Sequence, residues 1–398
     1  MIEIAHIIRN KRKLLVGGLI LVVGIVIILV VKTISATPDF EITDDLGGNI
    51  FPSAILSTAT TDVYIVRPSE PPFIGNPKSA ISVRLWSPAP NCRVRIEVGE
   101  SPFFRHSVSE FVLPRKKEYY TIYPDIIWNY ERLRNNEMAE PISVAVKVEV
   151  NGKSLGQKVR TFSVRSINEC LTGYMDHRNR YHPTYLFFAA YVNEENPLID
   201  GILREALNTR IVDRFLGYQS HQKGYVDRQV YALWNVLQKR KFRYSSISYS
   251  SLSSNVVFSQ RVRTFDDALK ASQINCVDGS VLFASLLRAI NIDPILVRIP
   301  GHMFVGYYTD PSHREANYLE TTMIGDVDLD DFFPEEKLDS ISLGRSQNEM
   351  SLLTFTKSKE YARNKFLAHS KYIRSNNRKY MFLEISRAVR RKIQPIGK

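Results

Sequence analysis

The chain has 398 residues, room for two or three domains at about 150 residues each. With 44% hydrophobic and 24% charged residues it is too apolar for a disordered chain; 19 Gly and 19 Pro exclude a collagen-like repeat, and three cysteines without a CxxC pair exclude a disulfide-stapled scaffold and a cysteine zinc site. Lys+Arg (53) outnumber Asp+Glu (41) by 12, and residues 357–398 hold thirteen Lys+Arg against two acids (Glu360, Glu384), so +11 of the +12 lies in that stretch.

Leu14 to Val31 is an unbroken run of 18 residues drawn from Leu, Ile, Val and Gly. At about 1.5 Å per residue it matches the hydrocarbon thickness of a bilayer. Arg9, Lys11, Arg12 and Lys13 precede it and only Lys32 follows closely. The expectation is a cytoplasmic tail over 1–13, a transmembrane anchor over 14–34 and a chain otherwise on the exported side, periplasmic or extracellular. A cleaved signal peptide is the rival, but its apolar region usually runs about 7–15 residues, and Ile34 and Ala36 fit a small-x-small cleavage site poorly.

Residues 38–165 read as short strands. Ile81, Val83 and Leu85 alternate with polar neighbours, as do Cys92, Val94, Ile96 and Val98, and Val144, Val146, Val148 and Val150. Asn151-Gly152 supplies the φ > 0 pair of a two-residue hairpin turn. Together they suggest an all-β, immunoglobulin-like sandwich serving as spacer or interaction module, without a catalytic constellation.

From residue 166 the period becomes helical, with Val226, Val230, Leu233 and Leu237 on one face and Leu282, Phe283, Leu286 and Leu287 on another. Strands follow at Ile295 to Ile299, Met303 to Tyr308 and Tyr318 to Leu319, giving an α+β domain over 166–398. Chemistry concentrates here. Cys276 precedes a helix, where free N–H groups and the dipole favour thiolate, the form that attacks a carbonyl. His302 starts a strand 26 residues on, and Glu320, 18 further, lies where a neighbouring strand can bring it to the imidazole. Asp310 is the alternative orienter, though a turn role before Pro311 suits it better.

Three segments in order resemble the transglutaminase-like superfamily, in its bacterial cysteine-peptidase type. Asn275-Cys276-Val277-Asp278-Gly279-Ser280 and the helix after it resemble the nucleophile helix, Pro300-Gly301-His302-Met303-Phe304-Val305-Gly306 the His strand, and Leu319-Glu320-Thr321-Thr322 the strand that usually carries Asp. Glu here lengthens the arm by one methylene. The resemblance implies a papain-like fold and a Cys276–His302–Glu320 triad acting on peptide or isopeptide amides, by hydrolysis or acyl transfer. The family also has inactive members, so a catalytically silent scaffold that binds a protein or polymer is the alternative.

An oxyanion also needs a donor. Gln260 and Gln273 are nearby candidates, each otherwise a surface glutamine, and the Cys276 backbone N–H is another. Asp278 caps or braces the nucleophile helix. No cofactor is expected. His177 and His182 lack the carboxylate pattern of a metal site, and His313 reads as solvent-facing. Cys92 and Cys170 can pair if the compartment is oxidising, or stay free in their separate regions. Around Tyr380 to Ile385 the basic C-terminus reads as an edge strand with solubilising charges, or as a docking surface for an anionic envelope polymer or lipid headgroups; no nucleic-acid motif accompanies it.

Overall fold

The alternating segments pair into two sheets. The computed structural model describes residues 39–66, 72–220, 222–245, 252–271, 273–325, 327–338, 344–375 and 377–397. Phe40–Thr43, Ser82–Ser87, Glu118–Tyr123 and Phe73–Gly75 lie side by side, in that order, as one four-stranded sheet. Asn49–Ile50, Lys153–Val164, Glu140–Val150, Cys92–Val98 and Ser107–Leu113 make a five-stranded sheet. Period two sends one face inward: Cys92, Val94, Ile96 and Val98 are buried while Arg93 is exposed. Asn151 and Gly152, at φ 50° and 78°, join the two long strands in the left-handed pair that such a turn demands.

The expected fold class is corrected on two counts. Among the described residues no helix is long and apolar enough to cross a membrane. The longest, Gln347–Ile373, is broken up by Lys357, Lys359, Arg363, Lys365 and Lys371. The run assigned to an anchor over 14–34 lies outside the described residues, and no described helix supports the single-pass membrane placement or the exported-side location that rested on it. Nor is the first part all-β. Helix Pro52–Thr58 starts on Pro52, whose missing N–H is not needed at a helix start, and Asn129 caps helix Tyr130–Arg134 by accepting the Arg132 N–H at 3.1 Å. The chain is mixed α/β.

Helix Pro52–Thr58 ties the sheets to the rest of the chain. Ser53 Oγ donates to the Glu169 carbonyl at 2.9 Å, and the Gln394 N–H donates to the Ser57 carbonyl at 2.9 Å. Arg165 forms a buried two-pronged bond to Glu169, both contacts at 2.9 Å. One apolar core runs from Phe40 to Ile396.

The element that positions the site is a four-stranded antiparallel sheet in the order Ala316–Leu319, His302–Tyr308, Pro294–Ile299, Met381–Glu384. Helix Cys276–Ala289 covers one face, meeting Leu296, Met303 and Val305; helix Gln347–Ile373 covers the other, where Ile295, Val297, Ile299 and Phe304 pack with Ala362 and Ile373. A strand covered twice is apolar nearly throughout, as Pro294–Ile299 is. The basic C-terminal stretch is built in. Met381–Glu384 is the sheet edge, Arg390 Nε donates to Glu194 Oε1 at 2.7 Å, and Ile393 and Ile396 are buried.

Candidate active site

Cys276 is the first residue of its helix. Asn275, extended at φ −100° and ψ 177°, turns its side chain inward to accept the Val277 and Asp278 N–H groups, each at 2.8 Å. The Gly279 N–H donates to the Asn275 carbonyl at 3.0 Å. Of the four N–H groups of the first turn, that leaves the one on Cys276 without a partner among the described residues. Asp278 completes the cap by accepting the Asn275 N–H at 3.4 Å. Its carboxylate, 1% exposed, also accepts the Arg263 N–H at 2.9 Å and pairs with the Arg263 guanidinium. Asp278 braces the nucleophile helix.

His302 follows the Pro300-Gly301 turn, where Gly301 adopts φ 73°, and pairs with Ile299 across it. His302 Nε2 donates to Glu320 Oε2 at 2.6 Å, and the Glu320 side chain is fully buried. The Cys276 sulfur lies close enough to the ring to raise its pKa. With Nε2 engaged by the carboxylate, Nδ1 is the ring nitrogen left free. Burial lowers the pKa of the ring, but the hydrogen bonds and charges of Cys276 and Glu320 outweigh it and push the value up from 6.5 to about 10. The raised pKa favours the imidazolium form of the ring beside the buried carboxylate.

Glu320 holds its place by capping. It stands at the start of a one-turn helix, Thr321–Met323, and its Oε1 accepts the Thr322 N–H at 3.1 Å and the Thr322 hydroxyl at 2.7 Å. Both carboxylate oxygens are thereby fixed, which steadies the longer arm. Ser358, on the long helix, accepts the Glu320 N–H at 2.8 Å and donates back to the Glu320 carbonyl at 3.2 Å. The turn also packs against the nucleophile helix at Gly279, where an added Cβ would stand 2.8 Å from Thr321 Oγ1. Only glycine allows this approach.

Thr322, Ser358, Gly279 and Arg263 are absent from the expected site. Thr322 carried a faint signal, a hydroxyl residue two places after an acid; Ser358 carried none. Tyr244 was likewise missed. It pairs with Ile274 in a short parallel ladder, and burial, with the charges of Cys276 and Glu320, raises its phenol above the ordinary value.

Gln273 is exposed on the short strand Gln273–Ile274, just before the Asn275 cap. Gln260 lies opposite Cys170, and its amide donates to the Arg261 carbonyl at 3.2 Å. Asp310 belongs to a turn. Burial raises its carboxyl, but three backbone N–H groups, from Ser312, Arg314 and Glu315, outweigh that and hold it below the usual range. His313 is not the solvent-facing residue its polar loop suggested. It stacks on Tyr308 with centroids 3.9 Å apart, and its Nε2 lies 2.9 Å from Asp293 Oδ2. His182, read as outside any metal pattern, sits 2.9 Å from the single carboxylate of Asp176. Cys92 and Cys170 are both buried and free, and burial pushes the Cys170 thiol up. Among the described residues no group of three or more His, Cys, Asp or Glu could hold a metal.

No protein-family model matches the chain, and no curated protein matches it.

Proposed function

We propose that this chain is a transglutaminase-like cysteine hydrolase or acyltransferase acting on peptide or isopeptide amides. One observation carries the reading: a single imidazole bonded to a buried carboxylate at 2.6 Å on Nε2, with a helix-tip thiol close enough to raise its pKa. The sulfur of Cys276, as thiolate, attacks the amide carbonyl and forms a C–S bond while the carbonyl π pair moves to oxygen. The unpartnered Cys276 N–H is the available donor to that oxyanion. The His302 imidazolium passes its proton to the leaving nitrogen as the C–N bond breaks, leaving a thioester and an amine. Neutral His302 then takes a proton from water, giving hydrolysis, or from an acceptor amine, giving transfer; collapse of the second tetrahedral intermediate returns the electron pair to sulfur. Glu320 keeps the ring oriented and its cation stable.

The test is alkylation by iodoacetamide at about pH 6, below the ordinary thiol value of about 8.5. Cys276 should react ahead of Cys92 and Cys170, and His302→Ala should abolish the advantage. Glu320→Gln adds a pH signature. Because His302 titrates near 10 when folded and 6.5 otherwise, its stabilising contribution is complete below about pH 6.5 and disappears as pH rises through about 10. In Glu320→Gln the hydrogen bond and charge of the carboxylate are gone, so that loss should occur at lower pH in urea unfolding. A Cys276 that reacts as an ordinary thiol, indifferent to His302→Ala, would overturn the reading in favour of a silent scaffold.

A further inference from the structure

The charge excess at the C-terminus separates into two populations. Lys357 bridges Glu336 at 2.6 Å and Glu360 at 2.9 Å, Lys359 bonds Asp227, and Arg390 pairs with Glu194; these cations hold the fold. Residues 361–383 differ, carrying six Lys/Arg (Arg363, Lys365, Lys371, Arg374, Arg378, Lys379) and not one Asp or Glu. A solvated helix face ordinarily intersperses the two signs. Among the described residues neither Arg363 nor Arg374 has a carboxylate partner, and both are exposed.

These two arginines share a hollow of about 980 Å³ with Arg314, Tyr318, Phe366 and Phe382. Arg314 is 81% exposed, and its side chain pairs only with Asp310 among the described residues, at 3.8 Å. Arg374 lies over the Phe382 ring at 4.7 Å, and Tyr318 stacks on Phe366 at 4.2 Å. The hollow is at the Tyr308 and Ala316 ends of the two strands whose other ends lead to His302 and Glu320. At about 3.3 Å per residue, Tyr308 stands about 20 Å along its strand from His302, while Tyr318 on the nearer wall is two residues from Glu320.

We infer that this hollow docks an acidic segment of a protein or peptide. Guanidinium forks match carboxylates in two-pronged geometry, and a concave wall of rings takes the apolar side chains beside them. The rings already stack on each other or lie under a guanidinium, so a nucleobase finds little free face here. Glu315 and Glu360 also line the hollow, Glu360 already paired with Lys357, and their oxygens can accept N–H bonds from a peptide backbone. A flat anionic bilayer cannot enter a concavity. The proposal stands apart from the thiol chemistry, since the hollow and Cys276 share no residue.

The experiment measures binding of a labelled Glu/Leu peptide to the full chain by fluorescence anisotropy, with a Gln/Leu peptide of equal length as control. The acidic peptide should bind at least about tenfold more tightly, and Arg363→Gln with Arg374→Gln should remove about that factor, as expected when guanidinium–carboxylate pairs are lost. Lys371→Gln with Lys379→Gln makes the same change in net charge outside the hollow and should cost about twofold or less through the wider field. Thermal melting checks that both double variants fold; if Arg374→Gln does not, Arg363→Gln alone should still weaken the acidic peptide selectively. Equal losses in both double variants, no preference over Gln/Leu, or tighter binding of single-stranded DNA or phosphatidylserine vesicles would each overturn the proposal. Cys276→Ala should leave peptide affinity unchanged, so the outcome is independent of whether the thiol is catalytic.

Discussion

Helix Cys276–Ala289 and helix Gln347–Ile373 pack on opposite faces of one sheet by contrary chemistry. The first is buried residue after residue from Val277 to Leu287, with Leu282, Phe283, Leu286 and Leu287 in the core. The second has 27 residues and buries only Ser351, Thr354, Phe355, Ser358, Ala362 and Ile373. Beside the apolar contacts of Phe355, Ala362 and Ile373, its three buried hydroxyls work by hydrogen bonds: Asn235 Nδ2 donates to Ser351 Oγ at 3.0 Å, Trp234 Nε1 to Thr354 Oγ1 at 3.1 Å, and the Glu320 N–H to Ser358 Oγ at 2.8 Å. Shape therefore sets the nucleophile, and directional polar bonds set the histidine's partner. The division suits the task, because a helix tip must stay rigid, whereas a carboxylate's angle must be fixed.

The largest effect should come from the apolar side. Leu286→Ala removes a fully buried side chain from the face the nucleophile helix turns to the core. It should cost about 3 kcal/mol in urea unfolding, the order seen for such truncations. A cost under about 1 kcal/mol would mean that the helix is not held by packing, and the contrast would collapse.

The polar side should respond to a single oxygen. Ser358→Ala strands the buried Glu320 N–H without its acceptor, which costs about 1–3 kcal/mol. Unlike Leu286→Ala, it should also blunt Cys276 alkylation in the protein that remains folded, because the strand end carrying Glu320 loses its anchor. Equal alkylation in wild type and Ser358→Ala would show that the long helix supports the fold and not the site.

The same contrast explains what could be read in advance. The helix after Cys276 and the strands around Ile295 and Met303 were legible because apolar residues recur at the period of each element, punctuated by Pro300-Gly301. Cys276, His302 and Glu320 were legible as residue types in order. The long helix was not, since a stripe of Ser351, Thr354, Ser358 and Ala362 looks like surface until Asn235, Trp234 and Glu320 are known to face it. Helix Pro52–Thr58 escaped because seven residues hold too few turns to show a period. His313 misled for a related reason: its stacking on Tyr308 and contact with Asp293 join segments that no local pattern connects.

The smallest effect tests the finest part of the polar side. Glu320 Oε1 has two donors from one residue, the Thr322 N–H at 3.1 Å and the Thr322 hydroxyl at 2.7 Å. Thr322→Val keeps the shape and the N–H and removes only the hydroxyl, so the turn should persist with the carboxylate less firmly aimed at His302. A hydrogen bond to a charged group is worth about 1.5–3 kcal/mol. Part of that is retained through the remaining N–H, so Cys276 alkylation at about pH 6 should fall by about fivefold, short of the tenfold that 1.4 kcal/mol represents. Thr322→Ser restores the hydroxyl while losing the methyl, and should recover most of the rate. A purely structural threonine would behave the other way, tolerating Val and suffering from Ser through the lost methyl contact. If Val retains the wild-type rate while Ser does not, the hydroxyl has no part in aiming Glu320, and the turn acts through packing alone, as the opposite face of the sheet does.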